Sequence, residues 1–212
     1  MKKQKKKRCI GYELAKWSAA LVMVPFFRPK KHYPFGKPIN KGKLIVSSNH
    51  IGPLDTVKIA MVLPLRRIWT ITRSEVFEKK FYNWVFRTIL CVPIDRENPS
   101  MDNYREIMDL LHQGEAVLFF SEGHINFKDN QIRDYKMGTA FFAAMTGSPV
   151  IPVYIVRRKH FFQRSHMIVG KELWIKDICD GLPSMPEIEK FNEYIREQEC
   201  ALEKWKDEYL EK

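Results

Sequence analysis

The chain is poor in the features that decide a fold or a chemistry at sight. Its four cysteines, Cys9, Cys91, Cys179 and Cys200, are widely spaced in 212 residues and form no Cys-x-x-Cys pair. That argues against a zinc knuckle, a dithiol redox motif and a secreted disulfide framework, and makes a reducing cytosolic setting the default. No Gly-x-Ser-x-Gly signature is present, which leans away from a covalent enzyme intermediate. The longest unbroken apolar run, Ala19 to Phe27, is nine residues and contains Pro25, far short of the roughly 20 that cross a bilayer, and it lacks a small-residue cleavage site. There is no internal repeat, and nothing in the composition suggests disorder or collagen. The length suits one substantial core.

Charge is abundant but unevenly placed. Residues 1–43 hold thirteen Lys and Arg against the single acid Glu13, a balance of +12 within a chain total of +11, so the remainder is −1. A near-neutral body with a basic leader points to an anionic surface met by one end, and not to a whole-protein grip on nucleic acid. The aromatic residues are not interleaved with the basic run as single-stranded nucleic acid would require. Residues 1–42 are therefore expected to be a leader with an N-terminal amphipathic helix lying in a membrane interface, followed by a Pro/Gly-rich linker; the alternative is an ordinary docking helix. Residues 43–212 are expected to form the globular body.

The body alternates apolar runs with helical patterns. Lys43–Ser47, Arg67–Thr72, Ile89–Ile94, Ala116–Phe120, Pro149–Val156 and Met167–Gly170 read as strands. Leu54–Leu63, Ser74–Arg87, Ser100–Gln113 and Ala140–Met145 read as helices. After Pro186, Ile188, Phe191, Ile195, Leu202, Trp205 and Tyr209 form one helical stripe with charges elsewhere. The expected fold class is α/β, a central mostly parallel or mixed sheet flanked by helices. Its polar motifs fall at strand carboxyl ends, where open α/β sheets place their sites.

The first such motif is Asn49-His50-Ile51-Gly52-Pro53-Leu54-Asp55. Five positions apart on one helix, His50 and Asp55 would point about 140° from each other. The Gly-Pro break lets Asp55 begin a helix while His50 stays in the turn and folds back. Such a pair is either a general base with its orienting carboxylate or a capped turn. Arg96 has the planar fork that binds phosphate, or is a structural ion pair. Glu122 and Gly123 occupy a tight turn after a strand, and Arg133 and Lys136 can add positive charge at the same mouth.

In order and spacing, Asn49-His50-x-x-x-x-Asp55, Val92-Pro93-Ile94-Asp95-Arg96, Phe120-Ser121-Glu122-Gly123 and Val150-Ile151-Pro152-Val153 resemble the four blocks of the glycerolipid acyltransferase family, of the 1-acyl-glycerol-3-phosphate acyltransferase type. The resemblance implies that His50 deprotonates an acceptor hydroxyl, that Asp55 orients it, and that Arg96 holds the acceptor phosphate. Glu122 and Gly123 would position the glycerol end with Asn49, Arg133 and Lys136 nearby, and Pro152 would shape the site. It implies no metal and no cofactor beyond the co-substrate, acyl-CoA or acyl carrier protein (acyl-ACP). The acceptor would be a lysophospholipid, and the setting the cytoplasmic face of an anionic membrane. Backbone amides at the helix start near Pro53 are a further expected oxyanion-stabilising element. The third block departs from the usual Phe-Pro-Glu-Gly-Thr-Arg-Ser, reading Phe120-Ser121-Glu122-Gly123-His124-Ile125-Asn126. The arginine is missing at Ile125, so Arg133 or Lys136 replaces it, or the acceptor is another lysolipid or glycerol-3-phosphate. A non-catalytic lipid-binding protein of the same fold is the rival reading.

Overall fold

The computed structural model describes residues 12–14, 16–18, 21, 29–39, 41–64, 66–95, 100–127, 132–158, 160 and 163–210. Its centre is a seven-stranded sheet in the order β1-β7-β6-β2-β5-β3-β4. The strands are β1 (Lys30–His32), β2 (Leu44–Ser48), β3 (Ile68–Arg73), β4 (Cys91–Ile94), β5 (Ala116–Phe120), β6 (Val150–Ile155) and β7 (His166–Val169). Strands β2 to β6 all run one way, and β7 and β1 run the other, the reversal falling between β6 and β7. The sheet is thus mixed, with a parallel majority.

Each strand's side chains alternate between two apolar layers. Leu44 and Val46 of β2, Leu118 of β5 and Ile151 and Val153 of β6 pack with Ile59 and Val62 of α1 (Asp55–Val62). Ile45, Val117, Val150 and Tyr154 face the other way, onto α3 (Met101–His112), α4 (Gly138–Thr146) and α5 (Met185–Tyr209). Burial on both faces explains why these strands read as continuous apolar runs. Ser100 accepts from the Asn103 amide to start α3, and Gly147, at a left-handed φ of 58°, ends α4, as their positions in the sequence suggested.

Three local expectations are corrected. The linker holds a strand: Lys30–His32 pairs with β7 at the sheet edge, although its polar residues carry no apolar alternation. The segment after Ser74 begins as a 3₁₀ turn, Ser74–Phe77, and becomes the helix α2 only at Lys80–Thr88. The buried stripe of α5 runs through Ile188, Phe191, Ile195, Glu199 and Leu202, whereas Tyr209 is exposed. At the amino end, residues 12–14 and 16–18 are helical. They dock on the body, since the Ile68 amide donates to the Tyr12 hydroxyl at 3.2 Å and Lys16 donates to the Pro64 carbonyl at 2.8 Å. Leu14, Trp17 and Leu21 face outward. The basic residues Lys2 to Arg8 lie outside the described residues, and no helix among those described is long and apolar enough to cross a membrane.

Candidate active site

The parallel register brings the ends of four strands together. Ser48 is opposite Phe120, and Arg73 opposite Ile94, so the turns after β2, β3, β4 and β5 open on one edge of the sheet. In the turn after β2, His50 Nδ1 lies 3.1 Å from Asp55 Oδ2. Asp55 is the first residue of α1 and is wholly buried. The same Oδ2 accepts from the amides of Ile51 and Gly52, both at 2.7 Å, and Oδ1 accepts from Lys58 Nζ at 2.8 Å.

Burial pushes the Asp55 carboxyl up, but the His50 hydrogen bond and the Lys58 ammonium outweigh it, and its pKa lies below the ordinary carboxylate value. Asp55 is therefore an anion at neutral pH. With Nδ1–H aimed at it, the imidazole presents the Nε2 lone pair outward. A capped turn and a His–Asp pair do not exclude each other: one carboxylate makes both sets of hydrogen bonds. Gly52 contributes its amide and not its conformational range, because its φ is not left-handed and a Cβ there would meet nothing within 4 Å. The amides of Ile51 and Gly52 are committed to Asp55 and that of Asp55 to the Gly52 carbonyl at 3.2 Å, which removes them as oxyanion donors.

Asn49 is buried, and its side chain closes a ring with the end of β6. Nδ2 donates to the Ile155 carbonyl at 3.0 Å, and Oδ1 accepts from the Ile155 amide at 2.7 Å. It holds the turn, and its amide does not face a substrate. Gly123, at a φ of 77°, makes the tight turn after β5, its amide donating to the Phe120 carbonyl at 2.9 Å. Glu122 is buried beneath that turn.

A cavity of about 540 Å³ lies behind it, lined by Arg73, Asp95, His124 and Lys136 among the polar residues and by Phe120, Tyr104 and Phe142 among the apolar ones. Lys136 thus reaches the cavity, its amide anchored to the Ser121 carbonyl at 2.8 Å. Arg133 instead meets His124 Nε2 at 3.2 Å. Arg96 lies outside the described residues. Pro152 is mid-strand in β6, opposite Ser47.

A family profile described as Acyltransferase matches residues 29–156. The chain belongs to the acyltransferase family. It is 26% identical over 168 residues to a 1-acyl-sn-glycerol-3-phosphate acyltransferase of Bacillus subtilis, covering 75% of this chain and 82% of that one. It is 28% identical over 153 residues, or 71% of its length, to the chloroplastic enzyme BAT2 of Brassica napus, of which it spans only 43%. The crystal structure of the LPA acyltransferase PlsC from Thermotoga maritima has the same fold, with a TM-score of 0.67 at 19% identity over 97% of this chain and 84% of that one.

Several residues around this acyltransferase site escape a reading of its motifs. Phe120 stacks on the His50 ring at 3.8 Å between centroids and 11° between planes, joining the His50 turn to the cavity wall. Lys58 stands one helical turn after Asp55, a spacing that signals contact. Arg73 ends β3, and the strand-end rule that selected the other motifs applies to it equally. The fourth is Glu199, wholly buried on α5. Burial, with the charge of Glu122, pushes its carboxyl up to about 8, against the opposing pull of the Tyr135 hydroxyl, the Asn49 amide and the Ser47 hydroxyl. It is a neutral acid at pH 7 beneath both site turns. A charged residue in an apolar stripe, four after Ile195 and three before Leu202, was its sequence signal.

Proposed function

We propose that this protein transfers a fatty acyl group from the thioester of acyl-CoA or acyl-ACP to the free hydroxyl of lysophosphatidate, at the cytoplasmic face of a membrane. The observation that carries the proposal is the His50–Asp55 contact at 3.1 Å in a family whose curated relatives bear that activity in their names. His50 Nε2 takes the acceptor hydroxyl proton as the oxygen attacks the thioester carbonyl. Asp55 holds the tautomer and stabilises the imidazolium. Collapse of the tetrahedral adduct breaks the C–S bond, and the imidazolium returns the proton to the departing sulfur. An ester and a thiol result, with no acyl group on the enzyme.

The acceptor phosphate is best matched by Arg73, Lys136 and His124 at the cavity, together with Arg96 by family resemblance. Arg73 and Lys136 then take the place of the arginine absent at Ile125. The basic leader supplies attraction to anionic lipid. A thiol-release assay with lysophosphatidate, glycerol-3-phosphate and neutral lysolipids tests the reading. Turnover with lysophosphatidate, and not with glycerol-3-phosphate or the neutral lysolipids, is the expected result. Preference for a lysolipid without a terminal phosphate identifies that lipid as acceptor, the second reading that Ile125 favours. No turnover with any of them leaves the lipid-binding alternative.

A further inference from the structure

The helix α2, Lys80–Thr88, is amphipathic in sequence yet buries none of its residues. Phe81 and Trp84 are 69% and 66% exposed, and Tyr82 lies beside them. The rings support each other: Phe81 meets Tyr82 and Trp84 with centroids 5.8 and 6.4 Å apart. On the inward side Phe86 packs on Phe77 at 5.6 Å, and Tyr82 reaches back to Phe86 at 6.5 Å. Phe81 and Trp84 are therefore the most exposed part of the aromatic face, with Tyr82 linking them to the fold.

Its position is specific. The segment leading into α2 starts directly after Arg73, at the sheet edge where His50 sits, so the first turn of α2 stands on the active-site side of the molecule. Parallel crossovers are right-handed, and β2 to β3 and β3 to β4 progress in the same direction, so α1 and α2 cover the same face. Ile89, just after α2, shares a small apolar cavity with Thr56 and Val57 of α1 and with Tyr12. The outward Leu14 and Trp17 belong to that layer too, and Leu54, in the His50 turn, is half-exposed.

The chemistry names the occupant. Tyr and Trp, each with an apolar ring and a polar tip, suit the boundary between lipid tails and head groups. Exposed Lys79 and Lys80 stand at the start of the helix, where an anionic head group would meet both their charge and the helix N-terminus. We propose that the outer face of α2, Phe81, Tyr82 and Trp84 behind Lys79 and Lys80, is a bilayer-contact surface that seats the carboxyl edge of the sheet on an anionic phospholipid leaflet. This goes beyond the acyl-transfer reading and does not depend on it, nor on the basic leader.

Flotation of the full chain with vesicles of phosphatidylcholine alone, or mixed equally with phosphatidylglycerol, tests it. Phe81→Ser/Trp84→Ser should lower partitioning about tenfold or more on both vesicle types. Lys79→Glu/Lys80→Glu should lower it about thirtyfold on the anionic vesicles and hardly at all on the neutral ones. Brominated lipid should quench the wild type more than Trp84→Phe. Thermal melts matching wild type establish that the variants fold, and thiol release with a short-chain, water-soluble acceptor should be unchanged by them. Because flotation needs no turnover, an inactive enzyme does not obscure the result. Flotation of the aromatic pair at wild-type levels overturns the proposal, as does the loss of a dimer in sedimentation without loss of flotation, which would give this face to a second copy of the chain.

Discussion

The two turns that frame the site are built on opposite plans. After β2, Asp55 and Asn49 find their partners within a few residues or on the adjacent strand: Asp55 accepts from His50, Ile51, Gly52 and Lys58, and Asn49 clasps Ile155. After β5, one tight turn at Gly123 is followed by a long connection whose side chains face a cavity together with groups from β3, β4 and α4. The first plan fixes one proton acceptor in one tautomer. The second assembles positive charge from scattered positions, any of which can change without disturbing the fold. On the acyl-transfer reading proposed above, reaction type is set by a closed local ring and acceptor choice by an open, distributed one.

Substitutions can break or sharpen that contrast. In the ring, His50→Ala should lower kcat by about 10²- to 10⁴-fold with little change in either KM, and Asp55→Asn should approach it by loss of the tautomer. Single-turnover thiol release measures both, and wild-type rates in either variant would remove the pair from the chemistry. Beneath the two turns, Glu199→Gln probes their shared support. The folded pKa of Glu199 is raised from its ordinary 4.5 to about 8. Its contribution to stability is therefore fully present below 4.5 and is lost as pH rises through 8. The variant should flatten that slope and be more stable than wild type above pH 8, by at most about 5 kcal/mol; parallel denaturation curves for the two proteins across pH would contradict this. Asn49→Ala leaves the Ile155 amide and carbonyl buried without their partners, and chemical denaturation should record a loss of about 2 kcal/mol. In the open plan, Arg73→Ala should raise the acceptor KM about tenfold and leave the acyl-donor KM alone. An equal effect on both substrates would place Arg73 in the fold and not at the phosphate.

The same contrast explains what could be read from the chain beforehand. The apolar strands and the His50–Asp55 spacing are legible because their causes are local: burial on both faces, a Gly-Pro break, a carboxylate at a helix start. Lys30–His32 was invisible as a strand because an edge strand is specified by its neighbour, β7, and not by its own alternation. Glu199 comes to the site from 150 residues away along α5, and only a charge interrupting an apolar stripe announced it. Asn49 stands next to the histidine and invites a substrate role, but a strand end that needs its two backbone groups paired has the prior claim. Arg73 lacked a motif, since the cavity that gives it meaning is a product of strand register.

One contact in the sheet has a bearing on heredity. Gly170 donates its amide to the Pro152 carbonyl at 2.8 Å, and a Cβ on it would fall 2.6 Å from the Pro152 ring. The two positions are therefore coupled: Gly170→Ala should be costly while the proline ring is present, and Pro152→Ala is its expected partial second-site suppressor, the Pro152 carbonyl still lying 3.2 Å from the new Cβ.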